Sequence, residues 1–355
     1  MSSSGASPSL RRGVILALGS AVLFGLTAPF SKILLGRIDP QLLAGLLYLG
    51  AGLGLAALQG VRLAIGLPVD EAPLNRANAP WLAGAVVAGG LLAPLLLMEG
   101  LRETSAANGS LLLNLESLAT MAIAWLAFRE NVDARLLVGA AAILAGAIAL
   151  SWRGQGLELD RGALLVAAAC LLWGVDNNLT RMVSAADPVR IATIKGLVAG
   201  SANIAGALAL GAAAPDALAA GSAALLGFLG VGLSLVLFIL ALRGLGAART
   251  SAYFSLAPFI GAVASILMLG EQPTVPLLVS GALMGLGLWL HLSERHEHRH
   301  EHEPVEHEHS HVHDEHHRHS HDEPVTEPHS HRHRHERLIH SHPHYPDLHH
   351  RHSHS

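Results

Sequence analysis

Ten stretches of mostly apolar residues, separated by short polar segments, occupy the first 292 positions of the chain. About 20 such residues are enough for a helix to cross the hydrocarbon core of a bilayer. The pattern therefore predicts an all-α integral membrane protein with ten transmembrane helices. The predicted spans are 13–35, 42–64, 80–101, 105–128, 135–151, 162–184, 188–212, 219–242, 250–269 and 274–292.

The stretch Ser110–Glu130 recurs without a gap as Ser251–Glu271, displaced by 141 positions, and Phe24–Lys32 is echoed 149 positions later by Trp173–Arg181. Because each half then holds five spans, an odd number, the second half must enter the membrane from the opposite side. Inverted repeats of this kind are a recurrent construction of secondary transporters. The predicted segments are an N-terminus at 1–12, repeats at 13–151 and 162–292, and a tail at 293–355.

Composition and charge agree with a membrane protein, since 51% of residues are hydrophobic and only 14% are charged. Cytoplasmic connections carry an excess of Lys and Arg. With the N-terminus inside, ten arginines fall on inner segments and four on outer ones, which predicts a protein of the cell (inner) membrane with both termini cytoplasmic. The inner residues are Arg11, Arg12, Arg62, Arg76, Arg129, Arg135, Arg181, Arg190, Arg243 and Arg249, and the outer ones are Arg37, Arg102, Arg153 and Arg161.

An aromatic residue before glycine opens each half, as Phe24-Gly25 and Trp173-Gly174, and a glutamate closes the fourth helix of each half, as Glu130 and Glu271. Over about residues 13–292 the chain resembles the EamA family of the drug/metabolite transporter superfamily. The resemblance implies a secondary transporter that exports or takes up small solutes, and it does not supply the substrate.

Glu116 marks a departure from the family pattern, because Glu116-Ser117 stands where the second half has Ala257-Pro258. An ionisable side chain inside the membrane is costly and marks a functional site by default. Glu116, with Asn114 beside it, is predicted to couple a proton or cation to transport. The alternative is a protonated or hydrogen-bonded packing residue.

The most polar cluster of any predicted span is Asp176, Asn177 and Asn178. Asp176 precedes the turn near residue 185 by about as many residues as Lys195 follows it, so the two should lie at similar depth on adjacent antiparallel helices. An ion pair is predicted between them, either as a structural pair that makes burial tolerable or as part of the substrate pathway.

Sequence motifs for nucleotide hydrolysis are missing, because the only lysines, Lys32 and Lys195, do not follow a glycine-rich loop. We therefore expect that this protein is not an enzyme and that it requires no cofactor. Its expected partners are the lipid bilayer and a small-molecule or metal-ion substrate, with no nucleic acid, and a homodimer is left open.

All 24 histidines lie at or after His291, in a tail rich in Glu, Asp, Arg and Ser. The tail has too little apolar surface to fold alone, which predicts disorder. Imidazoles with neighbouring carboxylates bind Zn, Ni, Co or Cu, and the alternative is a solvated segment that senses pH. The candidate metal ligands are His296, His298, His300, His307, His309, His311, His313, His316, His317, His319 and His321.

Three functions remain open at this point. The first is a secondary transporter that exports a small solute, which a sharper version identifies as divalent Ni, Co or Zn, since the chain also resembles transporters with histidine-rich tails associated with nickel and cobalt resistance. The second is a membrane-anchored metal buffer or sensor. The third is an exporter of amino acids or metabolites that its tail regulates.

Overall fold

In the part of the chain that the structure describes, the membrane body consists of nine long apolar helices and a shorter tenth, at the positions that the hydrophobic pattern predicts. The computed structural model of the chain describes residues 8–66, 74, 76–128, 134–152, 160–183, 187–245, 247–292, 297–302, 306–311, 329–334 and 338–343. Within these residues, nine helices are long and apolar enough to cross a membrane, and a tenth is shorter. In chain order the spans are Arg11–Leu34, Pro40–Ala64, Ala79–Glu103, Ala106–Ala127, Ala134–Ser151, Arg161–Arg181, Pro188–Ala209, Ala217–Leu242, Arg249–Leu269 and Val275–His291.

Three spans are interrupted by short breaks, and two of these breaks match between the halves. The fourth span consists of helices Ala106–Leu112 and Leu115–Phe128, and the ninth consists of Ala247–Phe254 and Ala257–Leu269. Pro258, at the second position of its helix, fits there because the first turn of a helix needs no N–H from that residue. The first span is also divided, into Pro8–Gly25 and Thr27–Leu34.

The third and eighth spans each contain a π-helical segment at their centre, Val86–Leu92 and Phe228–Leu233. Segments of this type are rare and often occur at functional sites. The flanking α-helices are Ala79–Ala85 and Ala93–Glu103 in the third span, and Ala217–Gly227 and Ser234–Leu245 in the eighth. A short 3₁₀ turn, Arg76–Asn78, leads into the third span. These matching irregularities support the two-repeat architecture.

The second and seventh spans cross at glycines that allow their backbones to touch. A Cβ atom on Gly52 would lie 2.6 Å from the amide nitrogen of Leu197, and one on Gly200 would lie 2.4 Å from that of Leu49. One displacement of 148 positions relates the two contacts, since it converts 49 to 197 and 52 to 200. The crossing therefore has the local two-fold symmetry expected between inverted repeats.

Large apolar side chains cover much of the outside of the helical body. Leu126, Leu210 and Leu267 are 74%, 82% and 78% exposed. A soluble protein rarely presents so many such residues to water, whereas lipid tails solvate them. The body is thus a multi-pass membrane structure.

The described residues of the tail form four short strands, β1 (Glu297–His302), β2 (Glu306–His311), β3 (His329–Arg334) and β4 (Leu338–Pro343). β1 pairs with β4 and β2 pairs with β3, both antiparallel. In these segments the alternation of histidine with polar residues has the two-residue period of a strand. Two-stranded pairs are only marginally stable in water, which agrees with the low apolar content of the tail.

Candidate functional site

A buried ion pair joins the sixth and seventh spans, as the spacing of the sequence predicts. Lys195 Nζ lies 2.7 Å from Asp176 Oδ1 and 2.5 Å from Asp176 Oδ2. The side chains of the aspartate and the lysine are only 5% and 17% exposed. Thr180 Oγ1 donates a further hydrogen bond of 2.9 Å to Asp176 Oδ1. The carboxylate is therefore fully engaged by one cation and one hydroxyl group.

Glu116 lies beside this ion pair but has a neutral partner. It occupies the first turn of the helix that follows the break in the fourth span. Asn177 Nδ2 donates to Glu116 Oε1 at 3.0 Å and to Thr120 Oγ1 at 3.1 Å. Within the described part of the chain, no basic side chain forms an ion pair with Glu116. This membrane carboxyl group is held by an amide alone.

A backbone carbonyl in the π-helical segment of the third span completes the site. The Gly89 carbonyl accepts hydrogen bonds from Tyr48 Oη at 2.8 Å and from Trp173 Nε1 at 3.0 Å. Three residues of this site, Tyr48, Thr120 and Thr180, were not predicted from the sequence, and Trp173 was recognised there only as part of the repeat. The Gly89-Gly90 doublet and a tyrosine in the middle of an apolar span were the available signals.

At Gly89 the third span packs directly against the ion pair. A Cβ atom there would lie within 1.9 Å of Asp176 Oδ2 and 2.5 Å of Asp176 Cβ. Such a distance requires a shift of the aspartate or of the helix, so the absence of a side chain is necessary for the observed pairing.

Replacing Gly89 with alanine is expected to displace Asp176 from Lys195, to destabilise the protein by about 1–3 kcal/mol as overpacking does, and to reduce transport strongly. Thermal unfolding in detergent and solute flux in proteoliposomes measure the two effects. Gly60→Ala is the matched control, because a Cβ at that helical position meets nothing within 4 Å. Equal flux for the two variants would contradict the packing argument.

Each of the two remaining predicted residues makes one local contact and one contact with a distant part of the chain. Asn178 Nδ2 donates to the backbone carbonyls of Gly174 and Thr120, at 2.8 and 3.1 Å, and so ties the sixth span to the fourth. Asn114 Nδ2 donates to the Leu111 carbonyl at the break in the fourth span, at 2.8 Å, and approaches Met284 Sδ at 3.8 Å. The structure does not bring Asn114 into contact with the charged residues.

The charged cluster occupies one of two positions related by the repeat. The displacement of 141 relates Gly89 to Gly230, and that of 149 relates Asp176 to Thr27. A Cβ atom on Gly230 would meet Thr27 Oγ1 at 2.4 Å, just as one on Gly89 would meet Asp176. The packing is thus preserved in both halves, while the ionisable group is present in only one.

Among the described residues, no group of three or more His, Cys, Asp or Glu side chains is arranged to hold a metal ion. The backbone is described at five of the candidate ligands, His298 and His300 in β1 and His307, His309 and His311 in β2. The others lie outside the described residues, and these are His296, His313, His316, His317, His319 and His321.

The described residues form ten apolar helices in two inverted repeats, and ionisable side chains lie between the repeats inside the membrane. This arrangement defines an integral membrane transport protein. The chain belongs to the EamA-like transporter family, which matches residues 11–152 and 160–293. Membership confirms the resemblance stated above, and proteins of this family move small solutes across the bilayer.

Two further comparisons agree with this membership. The chain is 29% identical over 290 residues to a protein described as an uncharacterized transporter of Methanothermobacter thermautotrophicus, covering 78% of this chain and 84% of that one. A crystal structure with 18% identity superimposes with a TM-score of 0.58, over 79% of this chain and 96% of the other. The similarity to this crystal structure shows the fold alone.

Proposed function

We propose that this protein is a secondary transporter that exports a small solute in exchange for protons, with Glu116 as the group that carries the proton. The supporting observation is that, among the described residues, the Glu116 carboxylate accepts a hydrogen bond from the neutral Asn177 amide and forms no ion pair. A carboxyl group with a neutral partner can release and take up a proton without leaving a buried cation uncompensated. In an exchanger, an inward proton gradient drives the solute outward, which is the basis for the proposed direction.

Asp176 and Lys195 serve in this proposal as the part of the site that recognises polar groups of the solute. Their pairing satisfies both charges, so neither side chain leaves an unpaired charge inside the membrane. A solute that carries a charged or strongly polar group can replace one partner of the pair. Tyr48 and Trp173 line the same region through the Gly89 carbonyl.

Purified protein in proteoliposomes provides the test. A panel of labelled metabolites, amino acids and divalent metals is loaded inside or outside, and flux is measured with a proton gradient of either sign. The proposal expects a gradient-dependent flux of at least one organic solute that reverses when the gradient reverses. If the flux of every solute is the same with and without a proton gradient, the exchange mechanism is refuted.

The proposed location is the cell (inner) membrane with both termini in the cytoplasm, on the strength of the arginine distribution. Labelling of a tag at either terminus in intact and in opened cells tests this orientation. The homodimer that the sequence left open stays a prediction.

Metal export by the body, or metal binding by the tail, is the second candidate, and one feature of the tail favours it. The strand register places histidine opposite histidine at His307↔His333, His309↔His331 and His311↔His329, and again at His298↔His342 and His300↔His340. Directly opposite positions in an antiparallel pair are about 4.5–5.5 Å apart at Cβ. Binding of Zn, Ni, Co or Cu to several such pairs would stabilise strands that are marginal alone.

Deleting residues 293–355 separates the roles of tail and body. A membrane-anchored metal buffer is expected to lose its protective effect completely when the tail is removed. A metal exporter is expected to keep substantial flux, with an altered dependence on metal concentration. The difference is measured as the accumulation of labelled nickel, cobalt and zinc in cells that express either form. If cells with the full chain, cells with the shortened chain and cells without the protein accumulate equal amounts, metal transport and metal buffering are both excluded as the function.

A further inference from the structure

One connection, between the third and fourth spans, is held by charged side chains from two distant parts of the chain. Lys32, near the end of the first span, donates to the carbonyls of Leu101 at 2.5 Å, Arg102 at 3.3 Å and Thr104 at 2.7 Å. Glu271, which follows the ninth span, accepts from the other side of the same connection. Its Oε1 accepts a hydrogen bond from the Ala106 N–H at 2.7 Å, and its Oε2 accepts one from the Ala107 N–H at 2.8 Å.

The signs of these charges match the ends of the helices that they contact. The carbonyl end of a helix carries partial negative charge and the amide end carries partial positive charge. Lys32 therefore suits the end of the third span, and Glu271 suits the start of the fourth. Both contacts satisfy backbone groups that helix termini leave without partners, and Thr104 between them is buried.

The two side chains belong to different halves of the molecule. Lys32 lies in the first repeat and Glu271 in the second, while the segment they hold, residues 101–107, connects two spans of the first repeat. Transport in proteins built from inverted repeats proceeds by movement of one group of helices against the other. The Glu271 contacts link the two repeats at one membrane face and are expected to break when that face opens, whereas the Lys32 contacts hold the end of the third span within the first repeat.

The fourth span connects this contact directly to the site. Glu116 lies ten residues beyond Ala106 on that span, a distance of about 15 Å along a helix axis. Any displacement of the start of the fourth span changes access to Glu116 from this face of the membrane.

We propose that Lys32, Glu271 and the segment 101–107 form a latch that closes the solute path at the membrane face where the first span ends. With the latch engaged, the site is sealed from this face, and release of the two helix ends opens it. The inference concerns how access alternates and holds for any transported solute. Glu130, which corresponds to Glu271 in the repeat, lies outside the described residues.

Thiol labelling from either side of the membrane tests the latch without a solute. The reporter is Ser117→Cys, next to Glu116 and exposed, in a chain whose only cysteine, Cys170, is replaced by serine. A membrane-impermeant maleimide is added to intact cells or to inverted vesicles. Glu271→Gln is expected to raise the labelling rate by about tenfold from the face of the latch, since it weakens two charge-assisted hydrogen bonds, with no rise from the opposite face.

Asp39→Asn is the matched control for this measurement. Asp39 follows the first span at the same membrane face, and its carboxylate accepts hydrogen bonds from the Gln41 and Leu42 N–H groups of the second span rather than from the segment 101–107. Equal labelling rates for Glu271→Gln and Asp39→Asn, or an equal rise from both faces, would overturn the proposal.

A second pair of variants covers the case in which Glu271→Gln does not fold. Lys32→Met removes the donors to the third span and is expected to raise labelling from the latch face. Lys32→Arg keeps the charge and the donors and is expected to retain the slow rate of the parent. If Lys32 had a structural role only, the two variants would show the same ratio of labelling rates from the two membrane faces. That result would also overturn the latch.

Discussion

Proteoliposomes that contain the Glu116→Gln variant are expected to show no solute flux driven by a proton gradient, while the protein stays folded. Glutamine has the shape of the glutamate and can still bond to the Asn177 amide, which lies 3.0 Å from Oε1. It cannot carry a proton. The variant therefore removes the proposed coupling group with little change in packing, and its flux should fall to the level of protein-free liposomes.

The control for this loss is Asp39→Asn, which removes an exposed carboxylate but keeps the cap of the second span, since asparagine can accept the same hydrogen bonds from the Gln41 and Leu42 N–H groups. It should transport at the rate of the parent. Solute exchange without a proton gradient is a useful second measurement, because a group needed only for coupling can be lost while solute still binds and exchanges. Wild-type flux in Glu116→Gln would exclude this residue as the proton carrier.

The largest effect on stability is expected from Asp176→Asn. This change leaves Lys195 buried at 17% side-chain exposure without its carboxylate. Breaking a buried ion pair by removing one partner costs about 3–5 kcal/mol, because the remaining charge is uncompensated. Thermal unfolding in detergent should show a large drop in the midpoint, and proton-driven flux should be lost.

The double variant Asp176→Asn, Lys195→Met separates stability from transport. With both charges removed, the penalty of an unpaired ammonium group disappears, and replacement of a whole buried pair is often close to neutral. Most of the lost stability should return. Flux should stay absent if the pair recognises the solute, whereas recovery of flux together with stability would show that the pair has a structural role only.

The ion pair between Asp176 and Lys195 shows how far local sequence spacing can predict a contact. The two residues are separated by 19 positions across one short turn, so antiparallel geometry alone places them at similar depth. The contact of Glu116 with Asn177 joins residues 61 positions apart. It depends on which faces of the fourth and sixth spans meet, and apolar composition carries little information about this.

Glu271 illustrates the same limit more strongly. The repeat and the family resemblance drew attention to a glutamate at the end of the ninth span, but not to its partners 164 and 165 positions away in the fourth span. Likewise, the Gly89-Gly90 doublet draws attention to this position, but the sequence does not show why Gly89 must lack a side chain. That requirement arises only because the Asp176 carboxylate packs against the π-helical turn.

The sequence by itself determined the membrane location, the ten helices, the two inverted repeats and the ion pair between neighbouring spans. These follow from the length of apolar segments, from the internal repeat and from short connections. The tertiary structure alone decided which polar residues meet and where charged side chains hold helix ends. In the membrane, helices associate through close packing of small residues and a few polar contacts, so these choices depend on the faces that the assembled helices present to each other.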